Sequence, residues 1–150
     1  MKETVIHTSS AEETEAAGRA LGERIIGDKH AYVALFGGLG AGKTAFTRGI
    51  VSVLSPGARV HSPTYTVVND YTAAGSDCSV YHFDMYRVTD DDALYSVGYY
   101  DYLTDNSFII TEWSENITDH LPPERIEVRI EYEGADKRKI TETMIRDNNK

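Results

Sequence analysis

A glycine-rich segment at residues 37–44 constrains the fold of this chain more than any other stretch. Its sequence, Gly-Gly-Leu-Gly-Ala-Gly-Lys-Thr, follows the nearly continuous apolar run Ala31–Phe36 and overlaps the start of a helical pattern over Lys43–Leu54. Such an apolar run is typical of a strand that is buried on both faces of a parallel sheet. A strand, a turn matching GxxxxGK[ST] and a helix in this order predict a phosphate-binding loop on an α/β sheet.

Each residue type in this loop has a chemical reason. Glycines lack Cβ atoms, so successive backbone N–H groups can point into one concavity and surround a phosphate. The following helix adds the partial positive charge of its N-terminus. Lys43 places a charge on the outer phosphates, and Thr44 offers a hydroxyl to Mg²⁺. A purely structural glycine turn with an incidental lysine is disfavoured, because the motif and both flanking elements agree.

Two acids that end apolar strands are candidates for the magnesium shell. Asp84 ends the segment 80–84, and Glu112 ends the segment 108–112. Open α/β sheets bind ligands at the carboxyl ends of their strands, so we expect both acids near the phosphates, one at the metal and one orienting water. The sequence leaves open which acid contacts the metal. A zinc site of His82 and Asp84, on one face of their strand, lacks a third ligand and is disfavoured.

The remaining periodicities predict one domain over residues 1–150. We expect a P-loop NTPase fold of three αβα layers, with a mostly parallel central sheet and an antiparallel C-terminal hairpin. The pair Ser10 and Glu13 is a capping-box pattern that starts a helix, and a second short helix is expected from residue 89 or 90. The expected strands cover residues 4–8, 31–36, 66–71, 79–83, 108–111, 125–133 and 138–145.

Composition narrows the functional classes. The 150 residues include 15 Lys and Arg against 24 Asp and Glu, and the resulting net charge of −9 argues against binding nucleic acid without a partner. The single cysteine, Cys78, excludes an internal disulfide framework. The N-terminus lacks a signal-peptide pattern, and no apolar run approaches the ~20 residues of a membrane span. We therefore expect a cytoplasmic protein without membrane contact.

Four motifs in fixed order resemble one bacterial family. They are Gly40-Ala-Gly-Lys-Thr44 with Phe46-Thr-Arg48-Gly49, then Ser62-Pro-Thr-Tyr65, then Tyr81-His-Phe-Asp-Met-Tyr-Arg87, and Glu112-Trp113. Together they are similar to the tRNA threonylcarbamoyladenosine biosynthesis ATPase family, TsaE (YjeE-type). The resemblance implies an ATPase that supports multiple turnover of the TsaB–TsaD heterodimer. That heterodimer transfers threonylcarbamoyl to the adenosine beside the anticodon, so this chain would meet tRNA only through it.

The resemblance also implies cofactors and residue roles. ATP would be bound by Ser10, Gly38, Leu39, Gly40, Ala41, Gly42, Lys43, Thr44, Ala45, Thr64 and Arg138. Within this set Ser10 would lie near the base, Thr64 near the γ-phosphate, and Arg138 would reach the nucleotide from the C-terminal hairpin. The catalytic residues would be Lys43, Asp84 and Glu112. The residues at the Mg²⁺ site would be Thr44, Glu112 and Asp84. The chain departs from the family at Gly38, commonly Asp, and at Ala45, commonly Thr; neither change removes a required atom.

Two other functions stay open at this point. A small-molecule kinase would use the same phosphate loop with a second substrate as acceptor, although the sequence shows no arginine-rich lid. A nucleotide-gated adaptor would bind ATP and hydrolyse it negligibly. A GTPase is disfavoured, because the chain lacks an N-K-x-D guanine-binding motif.

Overall fold

In the computed structural model, residues 2–61 and 67–146 are described, and seven strands within them form one sheet. The strands are β1 (Lys2–Thr8), β2 (Ala31–Phe36), β3 (Val68–Asp70), β4 (Ser79–Asp84), β5 (Ser107–Glu112), β6 (Arg125–Tyr132) and β7 (Arg138–Ile145). Their order across the sheet is β1-β7-β6-β2-β5-β4-β3.

The centre of the sheet is parallel and its margins are antiparallel. Strand β2 runs parallel to both β5 and β6, and β4 runs parallel to β5. Strands β6 and β7 form the antiparallel C-terminal hairpin that the sequence predicts, and β1 and β3 pair antiparallel at the two edges. The parallel strands therefore bring the loop after β2 and the ends of β4 and β5 together on the side of the sheet where the carboxyl ends of these strands lie.

Helical segments cover both faces, as the three-layer prediction requires. On one face lie α1 (Ala11–Ile25) and α2 (Lys43–Leu54), packed over the core side chains of β2, β5 and β6. The other face is covered by α3 (Asp91–Ser96) and by 3-10 turns over Tyr99–Tyr102 and Ser114–His120. Alternate residues of β2 enter the two cores, with Val33 and Leu35 on one side and Tyr32 and Ala34 on the other.

Glycines let α1 and α2 approach each other closely. A Cβ atom at Gly18 would lie 2.0 Å from the backbone oxygen of Phe46, and one at Gly49 would lie 2.0 Å from that of Glu15. Such distances leave no room for a side chain, so the two backbones touch directly. This contact fixes α2, and with it the loop from which α2 begins.

Most element boundaries match the sequence predictions. The predicted capping box starts α1, where Ser10 Oγ accepts the N–H of Glu13 at 3.1 Å. Helix α2 has the predicted limits. Strands β4 and β5 each extend far enough to include their terminal acid. No helix among the described residues combines the length and apolarity that crossing a membrane requires.

Candidate nucleotide-binding site

The glycine-rich loop joins β2 to α2 through an unusual backbone path. Gly37, Gly40 and Gly42 have φ angles of 156°, 73° and 111°, which side-chain-bearing residues rarely adopt. A Cβ atom at Gly37 would also lie 2.8 Å from the backbone oxygen of Ile130. Nothing lies within 4 Å of a Cβ at Gly38, so the loop does not require glycine there. The loop is therefore a backbone-lined concavity at the start of a helix, which suits a phosphate.

Lys43 is held at the mouth of this concavity. Its side chain is buried, its Nζ donates to the backbone oxygen of Gly37 at 2.7 Å, and the same atom lies 3.8 Å from the centre of the Trp113 ring. Burial lowers the pKa of the Lys43 amino group below the ordinary lysine value. Three carboxylates act against this shift, those of Glu112, Glu115 and Asp84. A desolvated cation in such a place gains strongly from an anionic ligand.

The two acids predicted for the metal lie side by side at the carboxyl ends of β4 and β5. Asp84 pairs with Glu112 in the parallel register of β4 and β5. Asp84 Oδ1 accepts the N–H of Tyr86 at 2.9 Å, and Glu112 Oε2 lies 2.5 Å from His82 Nε2. Carboxylate oxygens of this kind, together with a hydroxyl and phosphate oxygens, are the ligands that Mg²⁺ takes at nucleotide sites.

His82 belongs to this acid pair and not to a zinc site. Its ring is fully buried, and its Nε2 is already committed to Glu112. Within residues 2–61 and 67–146, no group of three or more His, Cys, Asp and Glu side chains could hold a metal. The disfavoured zinc pair of His82 and Asp84 therefore gains no third ligand in the described part of the chain.

The remaining predicted residues lie at different distances from the loop. Arg138 Nε donates to the backbone oxygen of Ala41 at 3.0 Å, so this side chain contacts the loop itself. The hydroxyl of Ser10 is engaged in capping α1. Thr44 follows Lys43 in the first turn of α2 and is partly exposed. Thr64 lies outside the described residues.

Two contacts to the loop escape sequence reasoning. Glu115 Oε2 accepts the N–H of Gly37 at 3.0 Å, and Tyr132 donates its hydroxyl to the backbone oxygen of Leu39 at 2.5 Å. Trp113, which reaches Lys43, has a φ of 57°, a conformation that is rare for a bulky residue. The motif Glu112-Trp113 is the sequence signal that marks Trp113.

Comparison with known proteins agrees with the geometry. A sequence model of the family described as "Threonylcarbamoyl adenosine biosynthesis protein TsaE" matches residues 8–140. The chain belongs to the TsaE family. This assignment confirms the resemblance that the four motifs indicate.

Individual TsaE relatives extend the match along the chain. The Bacillus subtilis protein named tRNA threonylcarbamoyladenosine biosynthesis protein TsaE is 32% identical over 145 residues, covering 97% of this chain and 88% of that protein. The Haemophilus influenzae protein of the same name is 43% identical over 105 residues, 70% of this chain and 65% of the relative. A crystal structure of Bacillus subtilis YdiB superposes with a TM-score of 0.70 at 28% identity, covering 96% of this chain and 86% of that one.

Proposed function

We propose that this chain is a Mg²⁺-dependent ATPase that serves tRNA threonylcarbamoyladenosine biosynthesis. The observation that carries the proposal is the convergence of Lys43, the glycine loop and two strand-end acids at one edge of the sheet. Membership of the TsaE family supports the role in tRNA modification. The hydrolytic activity rests on the chemistry of the site.

The loop fits a nucleoside triphosphate. Its glycines leave a backbone-lined concavity. A Cβ at Gly37 would lie 2.8 Å from the backbone oxygen of Ile130, and one at Gly40 would lie 3.1 Å from the Tyr132 hydroxyl. Lys43 would hold the outer phosphates, and the N-terminus of α2 would add its dipole. The site includes carboxylates, which would repel an uncomplexed triphosphate. We therefore assign the metal complex of ATP as the ligand.

The donors around Lys43 fit Mg²⁺ better than a softer metal. Thr44 would supply a hydroxyl, and Asp84 or Glu112 a carboxylate oxygen, which are hard ligands for a hard cation. When bound, Mg²⁺ would supply neutralisation of phosphate charge. The protein's own part is to hold the acids in place, and His82 does this for Glu112 through its Nε2 atom.

We assign the two acids different tasks. Glu112 is buried, has its second oxygen committed to His82, and would complete the metal shell. Asp84 is partly exposed and would orient the attacking water. Lys43 would stabilise negative charge on the transferred phosphoryl group. Each of these tasks is electrostatic, so the fold's main contribution is pre-organisation.

The net negative charge of the chain indicates which protein would contact the tRNA. A chain with a net charge of −9 offers tRNA little attraction, so the TsaB–TsaD heterodimer would make the RNA contacts. Lys43 and the start of α2 would be reserved for the triphosphate. Cytoplasmic location, where tRNA is modified, follows from the proposed role.

A binding and hydrolysis experiment tests the proposal. ATP binding with Mg²⁺ is measured by calorimetry, and phosphate release is followed in the same preparation, with Lys43→Ala beside a control, Lys29→Ala, at an exposed lysine. We expect the first variant to lose binding or hydrolysis and the second to retain both. Equal activity of the two variants would overturn the site. Transfer of phosphate to an added nucleoside or sugar, in place of inorganic phosphate, would indicate the kinase function instead.

A further inference from the structure

The C-terminal hairpin contacts the phosphate loop at two points. Tyr132, the last residue of β6, donates its hydroxyl to the backbone oxygen of Leu39 at 2.5 Å. Arg138, the first residue of β7, donates Nε to the backbone oxygen of Ala41 at 3.0 Å. Both oxygens belong to the loop between β2 and α2, two residues apart.

The two side chains also support each other. Tyr132 and Arg138 are register partners in the hairpin, and the Arg138 guanidinium carbon lies 4.3 Å from the centre of the Tyr132 ring. The Nη1 atom of Arg138 donates to the backbone oxygens of Gly134, Ala135 and Lys137. The guanidinium is thus fixed by the hairpin turn, and the ring that stacks on it has a defined position.

These contacts determine the direction of two N–H groups. In a trans peptide the C=O and the N–H of the next residue point in opposite directions, and none of the described peptides is cis. A donor that holds the Leu39 oxygen, as the Tyr132 hydroxyl does, therefore turns the Gly40 N–H away from Tyr132. The same holds for the Ala41 oxygen and the Gly42 N–H. Glycine backbones turn easily, so an external hold is what fixes these two directions.

We propose that Tyr132 is a positioning residue that holds the phosphate loop in its binding conformation through the Leu39 carbonyl, with Arg138 as its support. The inference rests on the proposed function, because it names the phosphates of the nucleotide as the ligand of the fixed N–H groups. Tyr132 itself does not contact the phosphate. Its side chain is 54% exposed, so its hydroxyl has no part in either core of the domain.

The variant Tyr132→Phe removes the hydroxyl and keeps the ring on Arg138. Loss of one neutral hydrogen bond that pre-organises the loop should weaken phosphate binding about 3- to 10-fold. The control is Tyr95→Phe, because Tyr95 is similarly exposed at 60% and lies in α3 on the other face of the sheet. Both variants should unfold at the temperature of the wild type.

Calorimetry with two ligands, MgATP and Mg-tripolyphosphate, separates the phosphate loop from the base site. We expect Tyr132→Phe to weaken both ligands by the same factor, to raise KM for ATP, and to leave kcat nearly unchanged. Hydrogen exchange of a peptide covering residues 37–44 should accelerate without ligand, while a peptide covering 107–112 stays as in the wild type. This last measurement needs no activity, and a residue that acts only on global stability would change the exchange of the strand peptide as well.

Two results would overturn the inference. One is a variant that binds both ligands as the wild type does, and the other is a variant that loses affinity for ATP alone, which would place the hydroxyl at the base or sugar. Failure of the proposed function has a different signature, because the wild type itself would then bind neither ligand. In that case the loop does not hold phosphate, and the positioning role falls with it.

Discussion

The Glu112 carboxylate offers the sharpest test of the metal site. The variant Glu112→Gln removes its charge and keeps its shape. The carboxylate is buried and accepts from His82 Nε2 at 2.5 Å, and the amide oxygen of Gln can accept the same bond. A hydrogen bond to a charged group contributes about 1.5–3 kcal/mol and a neutral one about 0.5–1.5, so the free energy of unfolding should fall by about 1 kcal/mol.

The effect on function should be much larger than the effect on stability. Without its charge, residue 112 loses most of its attraction for Mg²⁺, and we expect ATP hydrolysis to fall by about 100-fold or more. The Mg²⁺ concentration that gives half-maximal activity should rise. The assay titrates Mg²⁺ at fixed ATP and follows phosphate release, with urea unfolding measured on the same samples.

Two comparisons make this prediction decisive. Glu23→Gln makes the same chemical change on the exposed face of α1 and should leave turnover and Mg²⁺ dependence unchanged. Asp84→Asn should reduce turnover with a smaller change in Mg²⁺ dependence, because Asp84 is assigned to water. Wild-type Mg²⁺ dependence in Glu112→Gln, with its loss in Asp84→Asn, would refute the assignment of the two acids.

Three further predictions concern packing, pH and charge. Gly18→Ala should lower the free energy of unfolding, measured in urea, by about 1–3 kcal/mol, because its Cβ would lie 2.0 Å from a backbone oxygen of α2. Gly27→Ala should leave the free energy of unfolding unchanged, because nothing lies within 4 Å of a Cβ there, and equal stabilities of the two variants would contradict this reasoning. Burial raises the pKa of Tyr32 from 10.0 to about 12, so its contribution of about 3 kcal/mol is present below pH 10 and lost as the pH rises through 12. Tyr32→Phe should reduce that alkaline loss by this amount and leave the part due to Tyr99, whose pKa burial also raises, and an unchanged pH curve would be inconsistent with it. Glu115→Gln removes a negative charge that acts on Lys43, so calorimetry should show ATP binding without Mg²⁺ that is about 2- to 5-fold tighter. Weaker binding by this variant would argue against an electrostatic effect of Glu115 on the site.

The phosphate loop could be predicted from sequence because its determinants are contiguous. Eight residues and their two neighbouring elements specify the loop, and β2 and α2 form with the expected limits. The pairing of Asp84 with Glu112 could also be anticipated, although they are 28 positions apart in the chain, because parallel strands end at a common edge. No local pattern links the two acids, and the rule that ligands gather at the carboxyl ends of parallel strands predicts their proximity instead.

Other features of the site depend on tertiary contacts that no local pattern encodes. Glu115 and Tyr132 reach loop atoms 78 and 93 residues away in the chain, from a short 3-10 segment and from the end of an exposed strand. Neither position has a periodicity that marks it. The close crossing of α1 and α2 likewise depends on glycines in two separate helices, Gly18 and Gly49, whose partners only the folded structure identifies.

If the phosphate loop hydrolyses ATP in support of tRNA threonylcarbamoylation, this chain should let one TsaB–TsaD complex modify many tRNA molecules. The most direct test counts modified tRNA molecules formed per purified TsaB–TsaD complex, with phosphate release followed in the same reaction, for the wild type and for Lys43→Ala. We predict repeated turnover and coupled ATP hydrolysis with the wild type, and the level seen without this chain for the variant. Repeated turnover with Lys43→Ala at the wild-type rate would contradict this role of the phosphate loop.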